Sequence, residues 1–407
     1  MSTDTFTPLA QQSTEYGGFY VPRMEILIDG QGLPRDIAKD IVSLTYVDSI
    51  ETIDSFTLVV NNWDDERHEF RYIGSETADE LTPGHRNHAL RTLFESCGKE
   101  VEVRLGYGND LVTMVRGTFT TMQPEFTDGG AVLKVTGQNV LHQLRGKQYS
   151  DTWHGKRDTE VIADLAQRSD NGRKRFPLPV YIDPDATQNE KPVPVITQNR
   201  QTDLDFMWQR ARARGFVIFV QEADKDQKIE RRLYFGPARP GFIPGFRTVR
   251  YRLTWGRSLM VFKPVISTAS QVRSVTVKGW NRTAKEPISR TVRLDDPRID
   301  VNTDLFRMLR CNEREEIVTD EPIFENCHAR ERAIAILVEQ VKRLITAEGV
   351  KVVGLPQLRA GQVVQIDGVG ARLSGEYFIT KTTHTFDDNG YVTTFDCRRE
   401  QPQDTKG

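Results

Sequence analysis

The chain has 407 residues, a formal net charge of −2 at pH 7 and 38% hydrophobic residues. This length corresponds to roughly two to four domains, and the balanced charge gives no support to a basic nucleic-acid-binding protein. No apolar run approaches the roughly 20 residues that span a bilayer, and Met1–Gly18 lacks the hydrophobic region of a secretory signal. We therefore expect a soluble protein made in the cytoplasm, with no membrane span and no nucleic-acid partner.

The first part of the chain predicts a flexible arm followed by strands. Residues 1–20 are rich in Thr, Ser, Gln and Gly, which is typical of an arm that is disordered unless a neighbour binds it. Residues 21–150 are predicted to form a first β-barrel domain of roughly six strands. Its alternating apolar runs are Met24–Ile28, Ile41–Asp48 and Ser55–Asn61, and Ala89–Ser96 is predicted to be a short helix.

The middle of the chain, residues 151–245, predicts an α/β insert. One helix begins at Asp158 as its N-cap, and a second begins at Thr202 and ends at Gly215 before a strand. The connection Arg173–Pro194 between the two helices is rich in Pro and Asp, so we expect no regular structure there.

Residues 246–400 predict a second β-barrel domain with a long helix, followed by the tail 401–407. Strand patterns return at Thr248–Thr254, Leu259–Phe262 and Val272–Trp280, and a polar stretch at Asn281–Asp320 interrupts them. Apolar residues at spacings of three and four then predict one helix over Glu325–Ala347, ended by Gly349. One face of this helix must be buried.

Two stretches of the chain share an order of turn signals. Gly98–Gly137 and Gly361–Arg399 each read as three strands, with Gly-x-x-Val, a Gly-x-Gly turn, Gly before an aromatic strand, and Asp with a turn glycine before the last strand. Gly-rich turns are common in any antiparallel domain, and that remains the simpler explanation. We predict instead a β-rich α+β fold of two related tube-like β-barrels with an α/β insert between them.

The last hairpin allows its register to be predicted. Asn389-Gly390 between two β-rich runs is a strong signal for a two-residue turn. That turn places Phe386 opposite Thr393, His384 opposite Phe395 and Thr382 opposite Cys397. His384 is then expected to be a packed, hydrogen-bonded residue of the sheet rather than a base.

Few residues suggest chemistry, and we predict no catalytic, cofactor-binding or metal-binding residue. His85 and His88 follow a Pro-Gly loop and lack the Glu of an HExxH motif.

The four cysteines have no CxxC spacing and are expected to be free thiols, with Cys327 and His328 about 100° apart on a helix. The clusters Arg173–Arg175 and Arg210–Arg214 lie near acidic residues and are interpreted as surface or interface charge. The four cysteines are Cys97, Cys311, Cys327 and Cys397.

The order of several motifs carries a family resemblance from about Met24 to Arg399. The motifs are Gln198–Met207 (QNRQTDLDFM), Ala213–Phe216 (ARGF), Val275–Trp280 (VTVKGW), Gly354–Gly361 (GLPQLRAG) and Ser374–Phe378 (SGEYF). Together they resemble the phage late control D family, the tail hub proteins of contractile tails and contractile injection systems. The chain is also similar to the hub portion of the valine-glycine repeat spike protein of type VI secretion.

The resemblance implies a structural protein of a phage tail or contractile injection particle. Hubs of this family are homotrimers in which each chain supplies two barrels, so that six barrels meet a hexameric inner tube protein. The chain stops eight residues after Arg399, so a separate spike protein is expected beside other baseplate proteins. The sequence does not identify the interface residues.

Two other function classes remain open on the sequence alone. A soluble hydrolase acting on glycans or cell walls would use carboxylates such as Asp64 and Asp387, held in clefts. A carbohydrate-binding β-protein is disfavoured because the five Trp are scattered singly. Asn281-Arg282-Thr283 matches a glycosylation sequon but lacks a secretory context.

Overall fold

The chain is built mainly from antiparallel strands, as its alternating apolar residues predict. The structure, a computed structural model, describes residues 7–8, 21–96, 98–128, 130–223, 230–237, 250–269, 271–297, 299, 313–319 and 323–399. Cys97, Cys311, most of the arm and the tail 401–407 lie outside these residues, so the expectations for them stay predictions. Within the described part of the chain, no helix is long and apolar enough to cross a membrane.

The N-terminal region forms strands and short helices. Its strands are β1 Thr7–Pro8, β2 Pro22–Ile28, β3 Gln31–Gly32, β4 Ile41–Ser49, β5 Ser55–Asn61, β6 Trp63–Asp64, β7 Glu69–Phe70, β8 Glu100–Tyr107, β9 Asp110–Thr127 and β10 Gly130–Asn139. Its helices are α1 Arg35–Ala38, α2 His88–Arg91 and a 3-10 helix Val140–Arg145, so the helix predicted at Ala89–Ser96 is shorter than expected. In β5, Phe56, Leu58 and Val60 are fully buried, which is the alternation expected of a strand with one face on a core.

The middle region is an α/β unit, but its connection is more regular than predicted. Its elements are β11 Gln148–Lys156, α3 Asp158–Gln167, β12 Ser169–Asp170, β13 Arg173–Lys174, β14 Val180–Ile182, α4 Pro184–Asn189, β15 Val193–Thr202, α5 Asp203–Arg214, β16 Phe216–Gln221 and β17 Arg232–Pro237. The prediction of an irregular Arg173–Pro194 is therefore wrong. Pro184 begins α4, where its missing N–H and fixed φ are tolerated.

The two ends predicted for α5 are confirmed, whereas the N-cap predicted for α3 is wrong. The hydroxyl of Thr202 accepts the N–H of Asp205, and Gly215 ends α5 in the left-handed region at φ 68°. The N-cap of α3 is Arg157, because Asp158 already lies inside the helix and binds arginines.

The C-terminal region contains the remaining strands and the long helix. Its elements are β18 Tyr251–Thr254, β19 Leu259–Val261, β20 Pro264–Ile266, β21 Ser274–Asn281, β22 Glu286–Arg293, β23 Glu315–Val318, α6 Asn326–Lys342, β24 Ile345–Val353, β25 Val363–Asp367, β26 Gly375–Asp387 and β27 Gly390–Arg399. The predicted helix Glu325–Ala347 therefore ends too late. Ile345 already begins β24, and Gly349, with φ 65°, lies at a bulge inside that strand.

The strand pairings of the described residues form one large sheet rather than two closed barrels. Its order is β1-β18-β25-β26-β4-β5-β10-β9-β8-β2-β3, and β27, β24, β19 and β20 extend it from the other edge of β26. The pairing of β26 with β4 joins the two halves of the chain. Thr7–Pro8 of the N-terminal arm pairs in parallel with Tyr251–Arg252.

Each of the two similar stretches is a three-stranded antiparallel meander. β8, β9 and β10 pair in sequence order, and so do β25, β26 and β27. The predicted register of the last hairpin is wrong by two residues, because Asp387 pairs with Gly390 and leaves Asp388-Asn389 as the connection. His384 is consequently opposite Thr393, and Phe386 is opposite Tyr391.

Three larger hydrophobic clusters lie in the two halves of the large sheet and in the middle unit. The first includes Leu44, Phe56 and Val135, and the second includes Ala333 and Leu337 of α6 packed with strands of the C-terminal region. The middle cluster joins α3 and α5 to the small sheet of β14, β17 and β16. The helix α6 therefore buries one face, as predicted, while the domain boundaries themselves stay a prediction.

Candidate assembly interface

The carboxylates and the amide that sequence patterns single out shape turns. Oxygens of Asp64, Asp387 and Asn281 accept backbone N–H groups two or three residues ahead at 2.8–3.0 Å. Such bonds from Asp and Asn are a common way to fix a turn. The structure therefore gives each of these side chains a local structural role in a turn.

His384 is packed and hydrogen-bonded, as the sequence predicts, although it lies opposite Thr393 rather than Phe395. It is fully buried, with Nδ1 2.8 Å from the hydroxyl of Tyr391 and Nε2 3.1 Å from the carbonyl oxygen of Leu358. A carbonyl only accepts, so Nε2 carries the proton and Nδ1 accepts from the hydroxyl. Burial, together with the nearby charge of Arg359, lowers the pKa of His384 to about 3.

Among the described residues, one group of cysteine, histidine and acidic side chains lies close together. Ligand atoms of Glu325, Cys327 and His328 lie within 4.8 Å of one another, and the expectation that Cys327 and His328 make a poor joint site stays a prediction. Glu325 is the extended N-cap of α6, and its carboxylate accepts the thiol of Cys327 at 3.2 Å. A closed structural zinc site would need a fourth protein ligand, which the described residues do not add to this group.

Three arginines of the two basic clusters form ion pairs inside the middle unit, whereas Arg173, Lys174 and Arg212 are exposed. Nε atoms of Arg210 and Arg214 contact the fully buried carboxylate of Asp158, the latter at 2.7 Å. Arg175 bonds to Asp203 and lies 3.1 Å from an oxygen of Asp151. A buried carboxylate requires such partners. These arginines are therefore internal ion-pair residues.

A buried polar cluster lies where the two halves of the chain meet. The guanidinium of Arg359 donates to Asp48 at 2.8 Å, to the hydroxyl of Tyr46 at 2.6 Å and to the carbonyl oxygen of Met114 at 2.9 Å. Burial, together with the charge of Asp48, raises the pKa of Asp54 well above the ordinary range. Sequence reasoning did not identify Arg359, although a lone arginine between Gly354 and Gly361 was a signal.

The two meanders match in backbone detail as well as in strand order. Bulges fall at Thr120 in β9 and at Thr380 in β26, seven residues before the end of each strand. Each threonine hydroxyl donates to a carbonyl of the following strand at 3.2 Å, to Thr136 in one copy and to Asp396 in the other. A residue of β9 thus corresponds to the residue of β26 whose number is larger by 260.

The strands beside the meanders match too. β5 pairs with β10 and β4, and β24 pairs with β27 and with β19 and β20. Bulges fall at Val42 in β4 and at Met260 in β19, and both side chains are exposed. β19 and β20 therefore occupy the position in the second half that β4 occupies in the first.

Two strand edges without a strand partner in the described residues form the candidate interface. One is the edge of Thr121–Thr127 that faces away from β10, because β8 pairs only as far as Thr118. The other is the outer edge of β19 and β20. Exposed apolar side chains mark both edges: Phe126 is 53% exposed and Val265 is 56% exposed. Unpaired edges with apolar side chains are sites where another chain can add a strand.

The fold is similar to several solved tail structures. The 43 kDa tail protein of prophage MuSo2 from Shewanella oneidensis has a TM-score of 0.64 at 15% identity, covering 93% of this chain and 98% of that chain. The tail protein from Neisseria meningitidis has a TM-score of 0.63 at 12% identity, covering 94% and 97%. A component of the type VI secretion system of E. coli has a TM-score of 0.51 at 11% identity, covering 93% and 77%. At these identities the likeness shows the fold alone.

One family matches most of the chain. The family described as the Alg8 N-terminal domain matches residues 20–388. No curated protein matches the chain. The late control D family stays a prediction from the sequence. The chain belongs to the Alg8 N-terminal domain family.

Proposed function

We propose that this chain is the structural hub of a phage tail or contractile injection baseplate. The observation that carries the proposal is the duplicated meander, repeated down to its bulges, inside a fold similar to tail proteins. Two equivalent units in each chain let a trimer present six similar units to a hexameric tube. In the assembled trimer these units take on the tube-like barrel form that the sequence suggested.

The proposed partners follow from this arrangement. Three copies of the chain meet the inner tube protein on one side and a separate spike protein on the other, with further baseplate proteins around them. The chain acts without catalysis, since Asp64 and Asp387 serve turns and His384 is buried and neutral. The particle is assembled from protein made in the cytoplasm.

Reconstitution tests the proposal. The purified chain is mixed with the tube protein and the spike protein of the same particle, and the complex is measured by native mass spectrometry. We expect three copies of the chain in a complex with the spike, and particles without the chain should lack the joint between tube and baseplate. A stable monomer that joins neither protein would overturn the proposal.

A double variant separates this function from a hydrolase. Asp64→Asn with Asp387→Asn removes the two carboxylates that a hydrolase would use while leaving amide oxygens to accept the turn N–H groups. We expect assembly to be retained and wall-degrading activity of the preparation to be unchanged. Loss of a measurable wall-degrading activity in this variant would favour the hydrolase.

A further inference from the structure

We infer that the open edge of β9 in one copy of this chain pairs with β19 and β20 of the next copy. The pairing is antiparallel and places residues 121–126 against residues 262–267, in one defined register. This inference rests on the proposed trimeric hub and specifies which surfaces join its subunits. The partner is a second copy of the chain, because the chain itself contains the equivalent contact.

That internal contact is the pairing of β26 with β4. Lys381–Phe386 lies antiparallel to Leu44–Ser49, with Lys381 opposite Ser49 and Phe386 opposite Leu44. It covers the edge of β26 that β25 leaves open after Phe378. The corresponding edge of β9 opens after Thr118, where β8 ends, and no described strand covers it.

The correspondence of residues sets the register between copies. Thr127 pairs with Gly130 as Asp387 pairs with Gly390, which equates residues 121–126 with Lys381–Phe386. On the other side, Tyr46 pairs with Phe56 in β5, and Pro264 pairs with Ala347 in β24. These two pairs occupy equivalent places in the two halves. Phe56 pairs with Gly137 and Ala347 pairs with Cys397, and the number of Cys397 is larger than that of Gly137 by 260. Residues 262–267 are thereby equated with Leu44–Ser49.

The side chains brought together are complementary. Thr385 pairs with Thr45 inside the chain, and the same place between copies puts Glu125 opposite Lys263. Lys263 is exposed and has no ion-pair partner among the described residues, while Glu125 contacts Lys134 at 3.5 Å. Opposite charges directly across a pair of strands stabilise the pairing.

The other face of the proposed pairing is apolar. Thr382 pairs with Asp48 inside the chain, so the equivalent contact puts Met122 opposite Ile266. Met122 packs against the first hydrophobic cluster, and Ile266 is 39% exposed in the single chain. Burying this surface at an interface removes apolar area from water.

One position weakens the ladder. Pro124 falls opposite Pro264, where His384 faces Tyr46 inside the chain. Neither proline has an N–H, so this position cannot form the full set of ladder bonds. The interface is expected to depend on side chains more than the internal contact does.

The symmetry of the proposed contact differs from that of a simple dimer. The surface on β9 and the surface on β19 and β20 are different, so each copy uses one surface on each neighbour. Such head-to-tail contacts form a closed ring when the rotation closes and an open filament when it does not. With two equivalent units in each chain, closure after three copies gives a ring of six units.

Cysteine cross-linking tests the register in the full-length chain. Glu125→Cys with Lys263→Cys places two thiols directly opposite each other, with Cα atoms about 4.5–5.5 Å apart, which suits a disulfide. We expect oxidation to yield covalent trimers on a non-reducing gel, at least tenfold more than in either single variant. The single variants also measure the background from the native cysteines.

A pair shifted by two residues provides the matched control. Gln123→Cys with Lys263→Cys lies on the same face, but the diagonal separation of about 7–8 Å between Cα atoms is too long for a good disulfide. Equal or greater cross-linking in this control would overturn the register. A trimer that forms without any cross-link in the first pair would overturn this interface while leaving the hub proposal standing.

Charge reversal adds a test that needs no new bond. Lys263→Glu puts a carboxylate opposite Glu125, and we expect association to weaken by roughly fivefold or more. Adding Glu125→Lys restores the opposite charges and should recover most of that loss, with circular dichroism confirming the fold of each variant. If the double variant is as weak as the single, the two residues do not face each other.

Discussion

The two meanders share a backbone but differ in how their edges are completed. In the second meander, β26 is covered by β25 and then by β4, so the chain completes that edge itself. In the first, β9 is covered by β8 and then left open within the described residues. Within the described residues, the same strand arrangement is therefore complete once and incomplete once, and the proposed pairing between copies would complete the second edge.

The chemistry of the two edges differs as well. At the internal junction Arg359 donates to the buried Asp48, and the buried His384 donates to the carbonyl oxygen of the neighbouring Leu358. The corresponding place between copies would hold Met122, whose side chain has no comparable polar partners. A buried charged cluster specifies one arrangement and is costly to break, whereas an apolar contact with an exposed charge pair can form after folding.

The largest effect is expected from removing the arginine of the junction. Arg359→Met leaves Asp48 without its ion-pair partner, and we expect a loss of about 3–5 kcal/mol in the free energy of unfolding measured in urea. Arg343→Met is the matched control, because its exposed pair with Glu339 is worth about 0.3–0.5 kcal/mol. A loss below about 1 kcal/mol for Arg359→Met would show that this cluster does not hold the two halves together.

The next effect is a pH dependence caused by His384. Its pKa falls from the ordinary 6.5 to about 3 on folding, so the unfolded chain binds the proton more strongly. The stabilisation from keeping the ring neutral is present above pH 6.5 and is lost as the pH falls towards 3, at about 1.4 kcal/mol per pH unit. We expect His384→Gln to be less stable at pH 7 but to lose less stability between pH 6.5 and 4.5.

Unfolding curves at several pH values measure this difference in stability. The contributions of the other titrating groups are the same in both proteins and cancel when the variant is compared with the unmodified chain. His154→Gln, at an exposed position, serves as the control and should keep the slope of the unmodified chain. Identical slopes for the unmodified chain and His384→Gln would contradict a neutral buried histidine.

A smaller loss of stability is expected from a substitution at a position where the cores of the two meanders differ. Gly137 lies against the ring of Phe56, and a Cβ atom added at Gly137 would lie 2.2 Å from Cζ of Phe56. In the second meander the equivalent pair is Cys397 and Ala347. Gly137→Ala should therefore cost about 1–3 kcal/mol of stability by overpacking, measured by denaturant unfolding. Gly32→Ala, which meets no atom within 4 Å, is the control and should change stability by less than about 0.5 kcal/mol.

The smallest effect tests the equivalence of the two bulges. Thr120→Val and Thr380→Val each remove one hydrogen bond of 3.2 Å, and we expect each to cost about 0.5–1.5 kcal/mol. The two losses in thermal or denaturant unfolding should agree closely. A loss confined to one of the variants would show that the two bulges are not equivalent.

Much of the local structure follows from the sequence. Alternation and turn residues locate strands such as Ser55–Asn61 to the residue, and capping residues locate both ends of α5. Errors occur where two local preferences compete. Ile345 continues the helical pattern but begins a strand because Ile266 of β20 offers a partner. The hairpin connection lies at Asp388-Asn389 rather than one residue later.

The junction could not be predicted because its partners are distant in the chain. Arg359 bonds to Asp48 and Tyr46 across 311 and 313 residues, and no local pattern encodes such a contact. The open edges could not be predicted either, because a strand edge is open only where no other strand pairs with it. What the sequence did carry was the duplication, and the structure assigns its parts residue by residue.

The mass of the purified full-length chain in solution tests the central claim most directly. Light scattering coupled to size exclusion, over a range of concentrations, should give a discrete species of three times the chain mass, and Lys263→Glu should shift its formation to higher concentrations. A chain that remains a monomer at every concentration, and in the presence of the spike protein, would contradict the account.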